Sequence, residues 1–357
     1  MIKINLLSSG FVFTNTRSFI FPLIKYEKAL IDSGIILKLY TSIDESIFDC
    51  DCIFIESNYH GKRWGSEQEK IIDEIERLKY HKNKLFYFDL SDSTALLHPE
   101  ILSQVDSYFK MQKLKNTAQY KDLHYGNRIF TDYVYREYNI NDSNPSYSVP
   151  VKHDNELKKI KVSWNSGYYN HTLLGKYLNE LYFHVPIKPL LKFPCKFHKP
   201  ILNRMIDISC RINTNYERAT VAWFRKEAKS RLNNRIRIDR VSARDYYREM
   251  AGSKLCISPY AWGEINYKDY EAFISGCILL KPDMSHLETW PNYYINNKTY
   301  IPYKWDSSDL VEKTDNVLSG YEEFIEIANY SQLLYRNSLI GRDAENNFVD
   351  RLKKILN

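Results

Sequence analysis

The stretch "SPYAWGEINYKDYEAFISGCILLKPD", residues 258–283, decides how the rest of the chain reads. It lies between the apolar runs 254–257 and 277–282, and it crowds Glu264, Lys268, Asp269 and Glu271 together with Gly263 and Gly276. In an open α/β sheet, ligands bind beyond the carboxyl ends of the strands, where loops turn into helices. Residues 258–267 read as such a loop, following one buried strand and feeding a helix from about Asn266 to Ser275. The free N–H groups and the dipole of a helix start favour an anion, and Gly263 lets the backbone approach a phosphate closely. Glu271 can accept two hydrogen bonds from the vicinal hydroxyls of a ribose. Asn266, Tyr267 and Lys268 open the helix and join the same candidate binding set. The plain alternative is that Glu264, Asp269 and Glu271 simply populate the acid-favouring first turns of a surface helix. Trp262, Gly263 and Glu264 are poor choices for a plain surface loop, which favours the chemical reading.

Working outward, short apolar runs alternate with helical patterns, the signature of α/β architecture with parallel strands. In the first half the strands are 2–7, 35–40, 52–56, 84–90 and 160–164, with a helix over roughly 19–33. A second, strongly amphipathic helix spans 66–81, where Ser66 with Glu69 three residues on predicts a capping box. The second half repeats the alternation with strands 205–210, 235–238, 254–260 and 277–282, helices 217–232 and 243–252, and closing helices near 307–318, 321–338 and 343–356. Residues 184–200 carry four prolines and little periodicity, so the boundary falls there. The chain then divides into 1–184, a linker 185–203, a second domain 204–340, and a last helix 341–357 that can pack back on the first domain. Two Rossmann-like domains facing a cleft are expected.

At 357 residues the chain exceeds what a single core usually supports. No stretch approaches the ~20 apolar residues of a membrane span, and the N-terminal apolar run is too short for a signal peptide; a cytoplasmic protein is expected. The net charge of +6 is spread without blocks of like charge, so no nucleic-acid arm is indicated, although a mildly basic protein suits an anionic membrane surface. Six cysteines without paired spacing read as small core residues. The "DCD" at 49–51 precedes a strand, the wrong end for a parallel-sheet metal site, and no metal or cofactor is expected. Nor is there a G-x-S-x-G, H-E-x-x-H or phosphate-loop motif.

The segment "YEAFISGCILLKPD" resembles the second half of the donor-binding signature of GT-B glycosyltransferases, whose motif sets a pair of glutamates around a "G-x-P-x-x-E-A-x-A-x-G" core. Six residues separate Glu264 from Glu271 where that family has seven. The longer form "SPYAWGEINYKDYEAF…LLKPDMSHLETWP" resembles a branch of bacterial surface-polysaccharide transferases and exostosin-type domains. "IDISCRINTNYERATVAWFRKEA" is similar to the first strand, loop and helix of the family's donor domain. The resemblance implies a nucleotide-sugar co-substrate whose diphosphate meets Arg211 and Arg218, whose ribose meets Glu271, and whose sugar lies near Glu264. It further implies transfer to a glycan or lipid-linked glycan acceptor, as in lipopolysaccharide or capsule synthesis, with peripheral contact at the inner membrane. The rival readings are a nucleotide-sugar epimerase of the same layout and a non-catalytic glycan-binding protein.

In the first half, the loop 8–19 follows the first strand and should face the cleft. Ser9 and Gly10 shape it, and Arg17 either meets a phosphate or acidic acceptor or belongs to a capped helix start. "FDLSDST" places Asp89 and Asp92 at a strand's end. Asp92 is the candidate base for an attacking hydroxyl, and Asp89 reads better as a turn or cap residue. The glutamate pair leans towards retention of stereochemistry, whereas a base at Asp92 implies inversion.

Overall fold

The apolar runs of the first half assemble into one parallel sheet, as near-continuous Val/Ile/Leu/Phe strands buried on both faces should. The computed structural model describes residues 1–81 and 84–357. Strands β1 (Ile2–Leu7), β2 (Ile35–Tyr40), β3 (Cys52–Glu56), β4 (Leu85–Asp89) and β5 (Ser107–Lys110) precede a short β6 (Gln112–Leu114) and β7 (Ile160–Val162). The first sheet runs β2-β1-β3-β4-β5-β7, all parallel, so its strand order reverses between β1 and β3.

The second sheet uses β8 (Ile206–Ser209), β9 (Ser253–Ile257), β10 (Ile278–Pro282) and β12 (Ile301–Tyr303) in the order β12-β10-β9-β8, again parallel. Between β10 and β12 lies β11 (Leu287–Thr289), which leaves its own sheet and pairs antiparallel with β6. This ribbon joins the two lobes, with Lys113 and Glu288 opposite each other and ion-paired at 2.7 Å. Aromatic and aliphatic side chains from both lobes, among them Phe88, Trp164, Tyr260, Tyr270 and Phe348, form one continuous core. The last helix, Arg342–Leu356, lies on the first lobe: Phe348 packs edge-on against Trp164, and Arg351 donates to the Ser163 carbonyl at 3.1 Å.

Three sequence expectations are corrected. Residues 235–238, "RIRI", form no strand; Asn233–Arg235 is a single 3₁₀ turn followed by irregular backbone. Ser66 does not cap its helix, which spans Gln68–His81, because its hydroxyl turns back towards the Arg63 carbonyl. The first helix begins earlier, at Thr14, and a break at Tyr26 splits it into Thr14–Lys25 and Glu27–Asp32.

The carboxyl ends of both sheets point at each other. The loop after β4 meets the loop after β9 where a Cβ on Gly263 would collide with the Asp92 carbonyl. Two Rossmann-like lobes facing a cleft, with the final helix returned to the first, make the GT-B arrangement.

Candidate active site

Beyond β8 the chain passes through buried Cys210 and emerges at Arg211, where residues 211–215 and 238–243 diverge. A crevice of about 790 Å³ lies between them, lined by Ile212, Asn213, Asp239, Arg240, Val241 and Tyr246. Arg211 forms one wall. Its guanidinium pairs with Glu249 at 2.6 and 2.9 Å and donates to the Asp239 carbonyl at 3.0 Å. The Glu249 hydrogen bonds hold its pKa above the ordinary value, and Lys268 donates to its carbonyl. Ser242 caps the helix Ala243–Gly252 through Asp245 N–H, which fixes Tyr246 on the opposite wall.

Glu271 stands behind that wall, not on it. It is 5 % exposed and accepts from Tyr246 at 2.6 Å, Tyr247 at 2.8 Å and Lys176 at 2.8 Å. Burial alone would raise its pKa; the Lys176 charge and the hydrogen bonds of Lys176 and both tyrosines outweigh that and hold it low. The expectation of a carboxylate free for ribose hydroxyls therefore meets a structure in which three protein donors already fill it, and Tyr246 alone bridges it to the crevice.

The interlobe contact gathers a second set. Glu264 is fully buried, accepts from the Thr94 hydroxyl and from Thr94 N–H at 3.3 Å, and lies 3.8 Å from His286 Nε2, too far for a hydrogen bond. Burial pushes its pKa up, but His286 and Thr94 bring it below the ordinary value. Gly263, expected to admit a phosphate, instead admits the Asp92 backbone. Asp92 keeps its carboxylate at the solvent side, held at 2.9 Å by Asn15, whose own oxygen accepts from Tyr267 at 2.8 Å. Desolvation by the surrounding protein, with the nearby Glu264 and Asp89 charges, raises its pKa against the pull of the Asn15 hydrogen bond and Arg128. Asn266 donates to the Pro259 carbonyl at 2.9 Å, and its N–H donates to Asp269 at 3.1 Å, so it shapes the helix start. Asp269 is itself fully buried with Lys281 at 3.2 Å.

Arg218 does not join Arg211. Its Nε pairs with Asp142 of the first lobe at 2.8 Å, and Nη1 donates to the Gly126 carbonyl at 3.0 Å, leaving Nη2 buried without a partner among the described residues. Two other cations flank the loop after β9. Arg128 donates to the Trp262 carbonyl at 2.6 Å and Arg225 to the Tyr260 carbonyl at 3.1 Å. Neither forms an ion pair among the described residues, and burial lowers the pKa of each. The sequence reading missed both, although Arg128 precedes the helix Ile129–Tyr138 much as Arg218 precedes Ala219–Leu232.

In the first lobe, Ser9 and Gly10 belong to a closed knot at the β1/β3 reversal. Fully buried Glu56 accepts from Ser8 Oγ at 2.9 Å, Ser9 N at 2.7 Å, Ser9 Oγ at 2.8 Å and Asn58 N at 2.7 Å. Gly10 turns the chain there at φ +71°. Arg17 faces Glu180 and lies over the Phe183 ring at 4.4 Å, away from the β4 loop. A cavity of about 330 Å³ opens beside the knot, lined by Phe13, Asn58, Trp64, Tyr87, Ser91 and His98. Among the described residues, no three His, Cys, Asp or Glu side chains converge as metal ligands, and no helix is long and apolar enough to cross a membrane.

No protein-family model matches the chain, and no curated protein matches it. Solved structures do. HepE of Anabaena, in complex with UDP-glucose, is 10% identical with a TM-score of 0.45 over 99% of this chain and 100% of that one. A glycosyltransferase from Rickettsia africae is 11% identical with a TM-score of 0.44 over 99% and 97%. MnaA of S. aureus with UDP is 11% identical with a TM-score of 0.39 over 100% and 97%.

Proposed function

We propose that the chain is a glycosyltransferase that takes a sugar from a nucleotide-sugar donor and adds it to a growing surface glycan, of the lipopolysaccharide or capsule type, carried on a lipid. The observation that carries the reading is the crevice beyond β8. It lies at the carboxyl end of a parallel strand, it has an arginine on one wall, and a tyrosine anchored by Glu271 forms the other. This is where an α/β sheet binds ligands, and the combination suits a nucleoside whose phosphates run towards Arg211. Glu271 then acts through Tyr246, holding its hydroxyl for the ribose. Lys268, which donates to the Arg211 carbonyl, supports the donor side, with Arg128 and Arg225 offering charge to the leaving diphosphate as oriented cations stabilise developing negative charge.

Asp92 is the base in this reading, since its raised pKa and solvent-side carboxylate suit proton removal from an acceptor hydroxyl. Glu264, sealed against Thr94, positions the loop that carries Gly263. The aromatic cavity at Trp64 and Phe13, beside the closed Ser8–Gly10 knot, is the acceptor side. A base at Asp92 favours inversion, and basic side chains leave no step that needs a metal.

Calorimetric titration with UDP-, GDP-, CMP- and dTDP-sugars tests the reading. At least one should bind, and silence across the panel would remove enzyme function. Conversion of a bound sugar nucleotide to its epimer without acceptor would instead establish the epimerase.

A further inference from the structure

The segment joining the lobes wears its apolar side chains outside. In the helix Leu173–His184 the buried residues are Gly175, Asn179 and Tyr182, while Leu173, Leu174, Tyr177 and Leu181 are 46, 63, 68 and 37 % exposed. At 100° per residue, Leu174, Tyr177 and Leu181 share one face, opposite Asn179. The pattern of an ordinary surface helix is inverted, since its apolar stripe should face the core. The inward amide of Asn179 is 0 % exposed. Val185 and Ile187 continue the exposed apolar surface past the helix end.

The charges beside it are one-sided. From residue 181 to 205 the sequence contains no aspartate or glutamate; of its basic residues Lys188 pairs with Glu27 and Arg204 is buried against backbone carbonyls, which leaves Lys192, Lys196 and Lys199. The helix's own Glu180 and Lys176 are engaged with Arg17 and Glu271. Lys192, Lys196 and Lys199 are exposed, and no carboxylate pairs with them among the described residues. Between the helix and this basic stretch lies a cavity of about 230 Å³, lined by Leu173, Leu174, Leu178, Phe193 and Ile274, with Lys192 and Lys196 beside it.

We infer that residues 173–199 dock the protein on an anionic lipid bilayer, with Leu174, Tyr177 and Leu181 entering the headgroup boundary and Lys192 and Lys196 meeting lipid phosphates. An apolar helix face combined with a basic margin is the physical requirement for interfacial binding. A water-soluble partner would be expected to offer carboxylates in fixed positions. A membrane offers a laterally mobile sheet of negative charge that suits lysines on an extended, irregular segment. The inference does not rest on the donor crevice and stands or falls separately from it.

Sedimentation of the full chain with vesicles tests it, comparing pure phosphatidylcholine with phosphatidylcholine containing phosphatidylglycerol. The protein should pellet with the anionic vesicles and largely stay free with the neutral ones, and binding should weaken with added salt. Leu174→Ser with Tyr177→Ser, and separately Lys192→Glu with Lys196→Glu, should each reduce the bound fraction at least fivefold while thermal melts stay unchanged. Failure of the unaltered chain to bind anionic vesicles, or equal binding by both variants, overturns the inference. So does a stable dimer in analytical ultracentrifugation that Leu174→Ser with Tyr177→Ser disperses, since the face would then belong to a second copy.

Discussion

Each lobe begins with an apolar strand that runs into a loop and then a helix, yet the two loops end differently. Beyond β1, residues Ser8–Gly10 fold onto Glu56, and at least four hydrogen bonds from Ser8, Ser9 and Asn58 consume that carboxylate. Beyond β8, residues 211–215 stand clear, and the crevice stays open. The difference lies in the neighbouring strand. β3 delivers Glu56 to the side of β1, whereas β9 ends at Ile257 and is followed by Ser258, whose hydroxyl turns to Asp269 at 2.6 Å. A buried carboxylate satisfied on all sides holds structure together, whereas Arg211, although paired with Glu249, borders an open crevice from which a phosphate can approach it.

The largest effect should come where a carboxylate remains open. Asp92→Asn is expected to lower turnover by about 10²–10⁴-fold, the usual share of a general base, with the melting temperature held. With the unaltered protein, the rate should rise with pH through the elevated pKa of Asp92, because only its ionised form accepts the proton. A rate within threefold of the unaltered enzyme, at saturating donor and acceptor, would take the base role away from Asp92.

Next comes the crevice itself. Arg211→Ala should weaken donor binding roughly 10- to 100-fold, the loss of one charge-assisted contact of about 1.5–3 kcal/mol. Glu56→Gln in the closed loop should leave donor affinity alone while lowering stability. Calorimetry paired with thermal melts reads both, and an affinity loss at Glu56 equal to that at Arg211 would break the contrast.

His171 sets a pH limit on the interlobe packing. It stacks between Tyr267 and Tyr270 at 4.5 and 5.2 Å, and its Nε2–H donates to the Ser166 carbonyl at 2.9 Å. Burial drops its pKa from 6.5 to about 4. The unfolded chain therefore takes up a proton that the folded one refuses. Stability is complete above pH 6.5 and falls as pH drops towards 4, by about 3 kcal/mol in all. The depressed carboxylates Glu264 and Glu271 act only below their ordinary range near 4.5, and Asp92, with its raised pKa, contributes with the opposite sign. Denaturant titrations of His171→Gln between pH 4 and 6.5 should lose the His171 share of this slope, to which buried His98, also lowered, adds with the same sign and His124, raised, with the opposite one; an unchanged slope would assign it elsewhere.

The smallest effect concerns Lys176. Its side chain is 44% exposed but its partner Glu271 is buried, so Lys176→Met should lower stability mainly where Glu271 is ionised. Donor affinity should stay within twofold if Glu271 acts only through Tyr246. A marked gain would mean that the freed carboxylate reaches the ribose directly.

The parallel strands were legible because uninterrupted apolar runs have few other uses, and the loop 258–267 announced itself through residues that no plain loop needs. "RIRI" alternates like a strand but finds no partner and stays irregular. The burial of Glu271 could not be read locally, since Lys176 arrives from a helix 95 positions earlier in sequence. The same holds for the β6–β11 ribbon, whose strands are three residues each, and for Arg218, whose partner Asp142 lies in a proline-bearing loop of the other lobe. Local pattern reveals which segments are buried; it does not reveal which distant charge will reach a given carboxylate.

A crystal structure of the protein soaked with the tightest-binding nucleotide from the titration panel tests the central claim most directly. The account predicts the nucleoside between residues 211–215 and 238–246, with a phosphate at Arg211 and the ribose against Tyr246. A nucleotide bound at the Ser8–Gly10 loop, or anywhere that leaves the crevice beside Arg211 empty, would contradict it.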